Sequence, residues 1–156
     1  MNPMRRTVLK STGSTGLLAL LATVGFLRPS DVLANGWNKI AFDSKTMAET
    51  LKALGASTPA SSDAIQLRAP DIAENGAVVP IAVDSKLPGT QSIAVLIDKN
   101  PQPLAASFEL PSGTEGTVTT RVKMGQTSDV YALVRADGKF YMVKKEIKVT
   151  LGGCGG

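Results

Sequence analysis

Seven short apolar runs divided by turn residues, one strict two-residue alternation and one tight-turn dipeptide predict a mainly β chain. That pattern fits an immunoglobulin-like β-sandwich of about seven strands, with a short N-terminal helix before it and a flexible C-terminal Gly-Gly-Cys-Gly-Gly arm after it. The runs are 65–69, 77–83, 92–98, 104–110, 117–124, 129–135 and 139–151.

The chain opens with charge. Arg5 and Arg6 precede an apolar stretch over residues 16–27 and a small-residue pattern, Val32-Leu33-Ala34. Charged region, apolar region and small-residue site, in that order, make a removable export signal, and the paired arginines point to the twin-arginine route. The apolar stretch is shorter than the roughly 20 residues a membrane-spanning helix needs. Residues 1–34 are therefore expected to leave, and about 120 of the 156 residues to remain as one periplasmic domain over 35–150 with an arm over 151–156.

The helix comes next. Asp43 or Ser44 is expected to cap it, Met47, Leu51 and Leu54 form its apolar stripe, and Gly55 stops it. It is expected to pack on the sandwich. Residues 57–62, with Pro59, read as a small polar linker. Among the strands, Pro80 cannot donate a ladder hydrogen bond, so the run over 77–83 reads as an edge or a bulge. Val118, Thr120, Val122 and Met124 alternate with Thr117, Thr119, Arg121 and Lys123, which gives that strand one wet face. Asp137-Gly138 between two strand runs signals a hairpin. In the last run Tyr141, Val143, Ile147, Val149 and Leu151 share a face that Lys145 interrupts.

Composition excludes several functions. The chain holds 17 basic and 13 acidic residues, a net charge of +4. Arg5, Arg6, Lys10, Arg28 and Asp31 fall in the signal, so the remainder is near +1 and nucleic-acid binding loses its support. Without histidine, neither a Ser-His-Asp triad nor a Cys-His dyad can form, and one cysteine supplies no zinc ligand set. No carboxylate pair stands out, and the terminal glycines open no helix that could cradle a phosphate. The expectation is a chain that is not itself an enzyme and carries no cofactor or metal.

Cys154 is what remains. It cannot form an internal disulfide, and a single cysteine in an exported protein points to a reactive thiol or to pairing between chains. Gly152, Gly153, Gly155 and Gly156 remove the side-chain bulk around it, and the stretch from Val149 to Cys154 can extend about 17 Å. An ordinary thiol has a pKa of about 8.5, and Lys144, Lys145 and Lys148 lie up the strand, away from the sulfur. Activation would then come from a partner. An alternative is an exported, non-catalytic β-sandwich binding module that dimerises through a Cys154 disulfide.

The Gly-Gly-Cys-Gly-Gly at 152–156, the Arg5-Arg6 signal and the strand-rich body resemble the SoxY family, the sulfur-carrier subunits of the periplasmic thiosulfate-oxidising (Sox) system. The resemblance implies an immunoglobulin-like fold and a Cys154 that holds sulfur intermediates covalently. It implies a heterodimer with a SoxZ-like small β-sandwich subunit. It further implies a c-type haem partner that joins thiosulfate to the cysteine, a manganese thiosulfohydrolase that releases sulfate and, where present, a molybdenum-haem sulfane dehydrogenase that oxidises the remaining sulfur.

Overall fold

The computed structural model describes residues 38–150. Two short helices come first, α1 (Lys39–Asp43) and α2 (Met47–Ala53). A single helix capped at Asp43 or Ser44 was the expectation, and the difference has a local cause. The Asn38 side chain accepts from the Ala41 amide at 3.1 Å and starts a helix that uses up residues 39–43. Ser44 closes that helix, donating its hydroxyl to the Ile40 carbonyl at 2.8 Å. The cap of α2 thus falls to Thr46, whose hydroxyl accepts from the Glu49 amide at 3.2 Å, while Glu49 reaches back to the Lys45 amide. Gly55 ends α2 as expected. Its φ of +77° suits glycine, and the bonds from Ala56 N to Leu51 O and from Gly55 N to Lys52 O close a Schellman turn.

Eight strands follow: β1 (Ile65–Arg68), β2 (Ile72–Ala73), β3 (Val79–Ser85), β4 (Thr90–Ile97), β5 (Leu104–Glu109), β6 (Thr117–Val122), β7 (Ser128–Ala136) and β8 (Lys139–Val149). They form a three-stranded sheet, β1-β3-β6, and a five-stranded sheet, β2-β8-β7-β4-β5. The seven expected runs all become strands. The addition is β2, two residues pairing parallel with the end of β8. At Asp137 and Gly138 φ is +47° and +72°, the paired positive values of a type I′ hairpin turn whose twist matches that of β7 and β8.

Strand β3 is the middle strand of its sheet, where an edge or bulge was expected from Pro80. The reason is the short reach of β1, which pairs only with Ala82–Ser85 of β3, whereas β6 pairs with Val79–Asp84. At Pro80 the strand has a neighbour on one side only, so the missing N–H breaks no two-sided ladder.

The core has two layers. Between the sheets lie Ile81, Val83, Val118, Val122 and Met124 with Ile93, Val95, Ile97, Val130, Val134 and Ile147, all buried. On the other side of the five-stranded sheet, Ala94, Leu96, Leu104 and Leu133 pack with Ala41, Phe42, Met47, Leu51 and Leu54 of the helical segment. Strand β6 keeps its wet face, with Thr117, Thr119 and Arg121 exposed. Along β8, Tyr141, Val143, Ile147 and Val149 face the inter-sheet core, and Phe140 and Met142 pack on the helical side.

Candidate functional site

The thiol Cys154 and its glycines Gly152, Gly153, Gly155 and Gly156 lie outside the described residues, as do Arg5 and Arg6 and the whole 1–34 segment. The structure describes the platform from which residues 151–156 depart, the last turn of the ladder around β8.

Three successive amides are held there from alternating sides. Lys148 N donates to the Asp71 carbonyl at 2.9 Å, and Thr150 N donates to the Ala73 carbonyl at 3.1 Å. Both acceptors belong to β2 and the residue before it. Between them Val149 N turns the other way and donates to the Thr127 hydroxyl at 3.0 Å. Regular pairing of β7 with β8 begins at Ser128 opposite Ile147, so the backbone ladder has run out at Val149. The Thr127 side chain supplies the next acceptor in place of a carbonyl. The Thr150 hydroxyl donates to the Glu74 carbonyl at 3.4 Å and closes the set. Each such bond is worth about 0.5–1.5 kcal/mol net, and together they oppose the fraying that strand ends otherwise show.

The two flanks of this clamp are themselves fixed. On one flank, Met124 N donates to the Gly76 carbonyl at 2.7 Å. A Cβ on Gly76 would lie 2.5 Å from the Met124 carbonyl oxygen and 2.8 Å from Val149 Cγ1, so only glycine lets these segments close on Val149. On the other flank, Asn100 ties the β4–β5 connection to the β6–β7 connection. Its Nδ2 donates to the Lys123 carbonyl at 2.8 Å, and its Oδ1 accepts from Gly125 N at 3.4 Å. Lys99 N also donates to the Ser128 hydroxyl at 3.0 Å.

Charge supports the same edge. Lys145, which interrupts the apolar face of β8, reaches across to the Ala69 carbonyl and pairs with Asp71 at 2.9 Å. The hydrogen bond and charge of Lys145 hold the Asp71 carboxyl below its ordinary pKa. One residue earlier, Lys144 pairs with Asp129 at 2.9 Å, and that carboxylate raises the Lys144 pKa. Tyr131 is raised chiefly by burial and next by the Asp129 charge. These groups brace β8. None of them is presented as an acid or a base in a cleft.

Among the described residues no group of three His, Cys, Asp or Glu side chains converges to hold a metal, and no helix is long and apolar enough to cross a membrane. A cleft of about 660 Å³ opens beside the Asp137-Gly138 hairpin, at the end of β8 away from residue 150. Its charged lining includes the Arg135–Glu109 pair at 3.3 Å. The sequence does not mark the anchor at residues 148–150. Ile72-Ala73 is too short to read as a strand, Gly76 looks like any loop glycine, and Thr127 acts through a hydroxyl that no periodicity marks.

Comparison with known proteins accords with this architecture. A family model described as "Sulfur oxidation protein SoxY" matches residues 50–154. A solved structure, the sulfur carrier protein SoxY from Chlorobium limicola f thiosulfatophilum, superposes with a TM-score of 0.61 at 36% identity, covering 68% of this chain and 97% of that one. A superoxide reductase (neelaredoxin) from Ignicoccus hospitalis aligns at 18% identity and a TM-score of 0.49, over 55% of this chain and 80% of its own. The comparison with curated proteins gives no match. With the family match spanning most of the chain and the 36%-identical structure covered almost end to end, this chain belongs to the SoxY family of sulfur-oxidation proteins.

Proposed function

We propose that this chain is a covalent sulfur carrier of thiosulfate oxidation, with Cys154 as the attachment point and Gly152, Gly153, Gly155 and Gly156 as the clearance around it. The observation that carries the reading is the pairing of a firmly held strand end at residues 148–150 with the chain's single thiol four residues further on. The family match runs through residue 154 and so takes in the cysteine. The matched Chlorobium protein is itself described as a sulfur carrier.

The chemistry balances without a catalytic group on this chain. A c-type haem partner removes two electrons as the Cys154 thiolate and thiosulfate form a sulfur–sulfur bond, giving a cysteine S-thiosulfonate. A manganese thiosulfohydrolase then uses one water to release sulfate and two protons, leaving a persulfide anion on Cys154. Where the pathway includes a sulfane dehydrogenase, that enzyme oxidises the remaining sulfur further. Covalent attachment keeps a small anion from diffusing away and makes each later encounter a positioned one. The chain works in the periplasm after removal of residues 1–34, which Arg5 and Arg6 direct to the twin-arginine route, and it pairs with a SoxZ-like subunit. It is a substrate-bearing handle and not an enzyme.

Intact mass spectrometry of the protein from cells grown on thiosulfate tests this. Adducts of sulfane or thiosulfonate mass are expected on the wild type and absent from Cys154→Ser, which should fold normally. A bare thiol or a simple disulfide dimer in the wild type, or adducts that persist in the variant, would overturn it.

A further inference from the structure

The clamp on residues 148–150 is more than the end of a sheet. We infer that Thr127, with the Asp71–Gly76 segment opposite it, positions the arm by fixing the point and direction from which residue 151 leaves the body. Both are positioning residues, acting on Cys154 through the backbone of β8. Two features argue for a dedicated device. The first is that β2 consists of two residues and pairs, among the described residues, only with the end of β8. Such a strand adds little to the core, since Ile72 is 56% exposed and only Ala73 is buried. What it supplies, together with Asp71 just before it, is acceptors for Thr150 N and Lys148 N. The second is that the bond to Val149 N comes from a side chain at the one position where β7 has no carbonyl in register.

The consequence is geometric. Cys154 lies four residues beyond Thr150, a reach of about 14 Å at full extension. If the strand frayed back to Ile147, where the β7 ladder ends, the chain between the last anchored residue and Cys154 would lengthen from four residues to seven. A short tether on a fixed root raises the effective concentration of the thiol at a docked partner's site, and that concentration falls as the tether lengthens. The clamp therefore trades arm length for accuracy.

This role rests on the carrier reading, and the experiment separates the two. In the full chain carrying Ser107→Cys on the exposed face of β5, nitroxide labels on residues 107 and 154 report the distance distribution between body and arm tip. Thr127→Val keeps the shape of the residue and deletes the acceptor, whereas Thr127→Ser keeps the acceptor. The distribution should broaden in Thr127→Val and return to the wild-type width in Thr127→Ser, with the urea midpoint little changed. Sulfur loading by the haem partner should fall about fivefold in unlabelled Thr127→Val and recover in Thr127→Ser, while alkylation of Cys154 by a small reagent stays at the wild-type rate. An unchanged distribution in Thr127→Val overturns the clamp whether or not the thiol carries sulfur. A broadened distribution with undiminished loading overturns the positioning role. A wild type that takes up no sulfur sinks the carrier reading alone, and the label distances still decide the clamp.

Discussion

Gly76 shows how much of the site hangs on a single missing methyl group. Its φ lies outside the left-handed region, so backbone strain does not explain the glycine. Space does, because the Met124 carbonyl oxygen and Val149 Cγ1 occupy the volume a Cβ would take. Asn75 accepts from Ala77 N at 2.9 Å and shapes the turn that brings Gly76 there. Gly125, next to Met124 in the β6–β7 connection, has open space around its Cβ position and an ordinary φ. Gly76→Ala is expected to destabilise the fold by about 1–3 kcal/mol, the usual cost of forcing an extra carbon into a packed site. Gly125→Ala should be close to neutral, and urea unfolding of the pair measures the contrast. Equal midpoints would show that the two segments yield without cost. Nothing in the sequence says which of these two glycines the packing requires. Cys154, by contrast, stands out in the sequence because it is chemically unique in the chain. Steric uniqueness leaves no such mark.

At the scale of elements, legibility follows length. The six-residue and longer strands show in the sequence as alternation or as continuous apolar runs, and the Asp137-Gly138 turn shows as its dipeptide. The helix start is not fixed by the sequence, because Asn38, Asp43, Ser44 and Thr46 are all competent caps and the choice depends on which turn closes first. Strand β2 leaves no periodic signal, since two residues carry no period. Its position depends on contacts across the fold, among them the Lys145–Asp71 pair. The pH dependence of that pair can be given a sign. Asp71 titrates below its ordinary value when folded, so its contribution is full above the unfolded carboxylate pKa and disappears as pH falls through the lowered one. Wild type should therefore be more stable than Asp71→Asn at neutral pH, by a small amount because Asp71 is solvent-exposed, and the gap in urea midpoints should close in strong acid. A gap that widens towards acid would mean that Lys145 does not set the Asp71 pKa.

The described body is a three-layer arrangement, and the sequence carries that signal in a form alternation alone does not read. Strand β4 contains Ile93-Ala94-Val95-Leu96-Ile97, a continuous apolar run with every residue buried. A strand with one wet face would alternate, so continuity means cover on both sides. The covering layer is the helical segment, whose Phe42, Met47, Leu51 and Leu54 meet Ala94 and Leu96, while Ile93, Val95 and Ile97 turn inward to the other sheet. The five-stranded sheet is thus common to both cores, and the two should unfold together. Leu96 and Val95 are both fully buried and point to opposite layers. Leu96→Ala should cost about 2–5 kcal/mol, the range for deleting a buried leucine side chain. Thermal unfolding followed by the helical signal near 222 nm and by the tyrosine near-UV band should still give one coincident transition, because Tyr131 packs on the helical side and Tyr141 on the inter-sheet side. An early loss of helix with the tyrosine signal of the sandwich intact would show the helical layer to be separable. The sheet that bears β8 would then be braced by the sandwich alone, and the strand end at residues 148–150 would owe nothing to the helices.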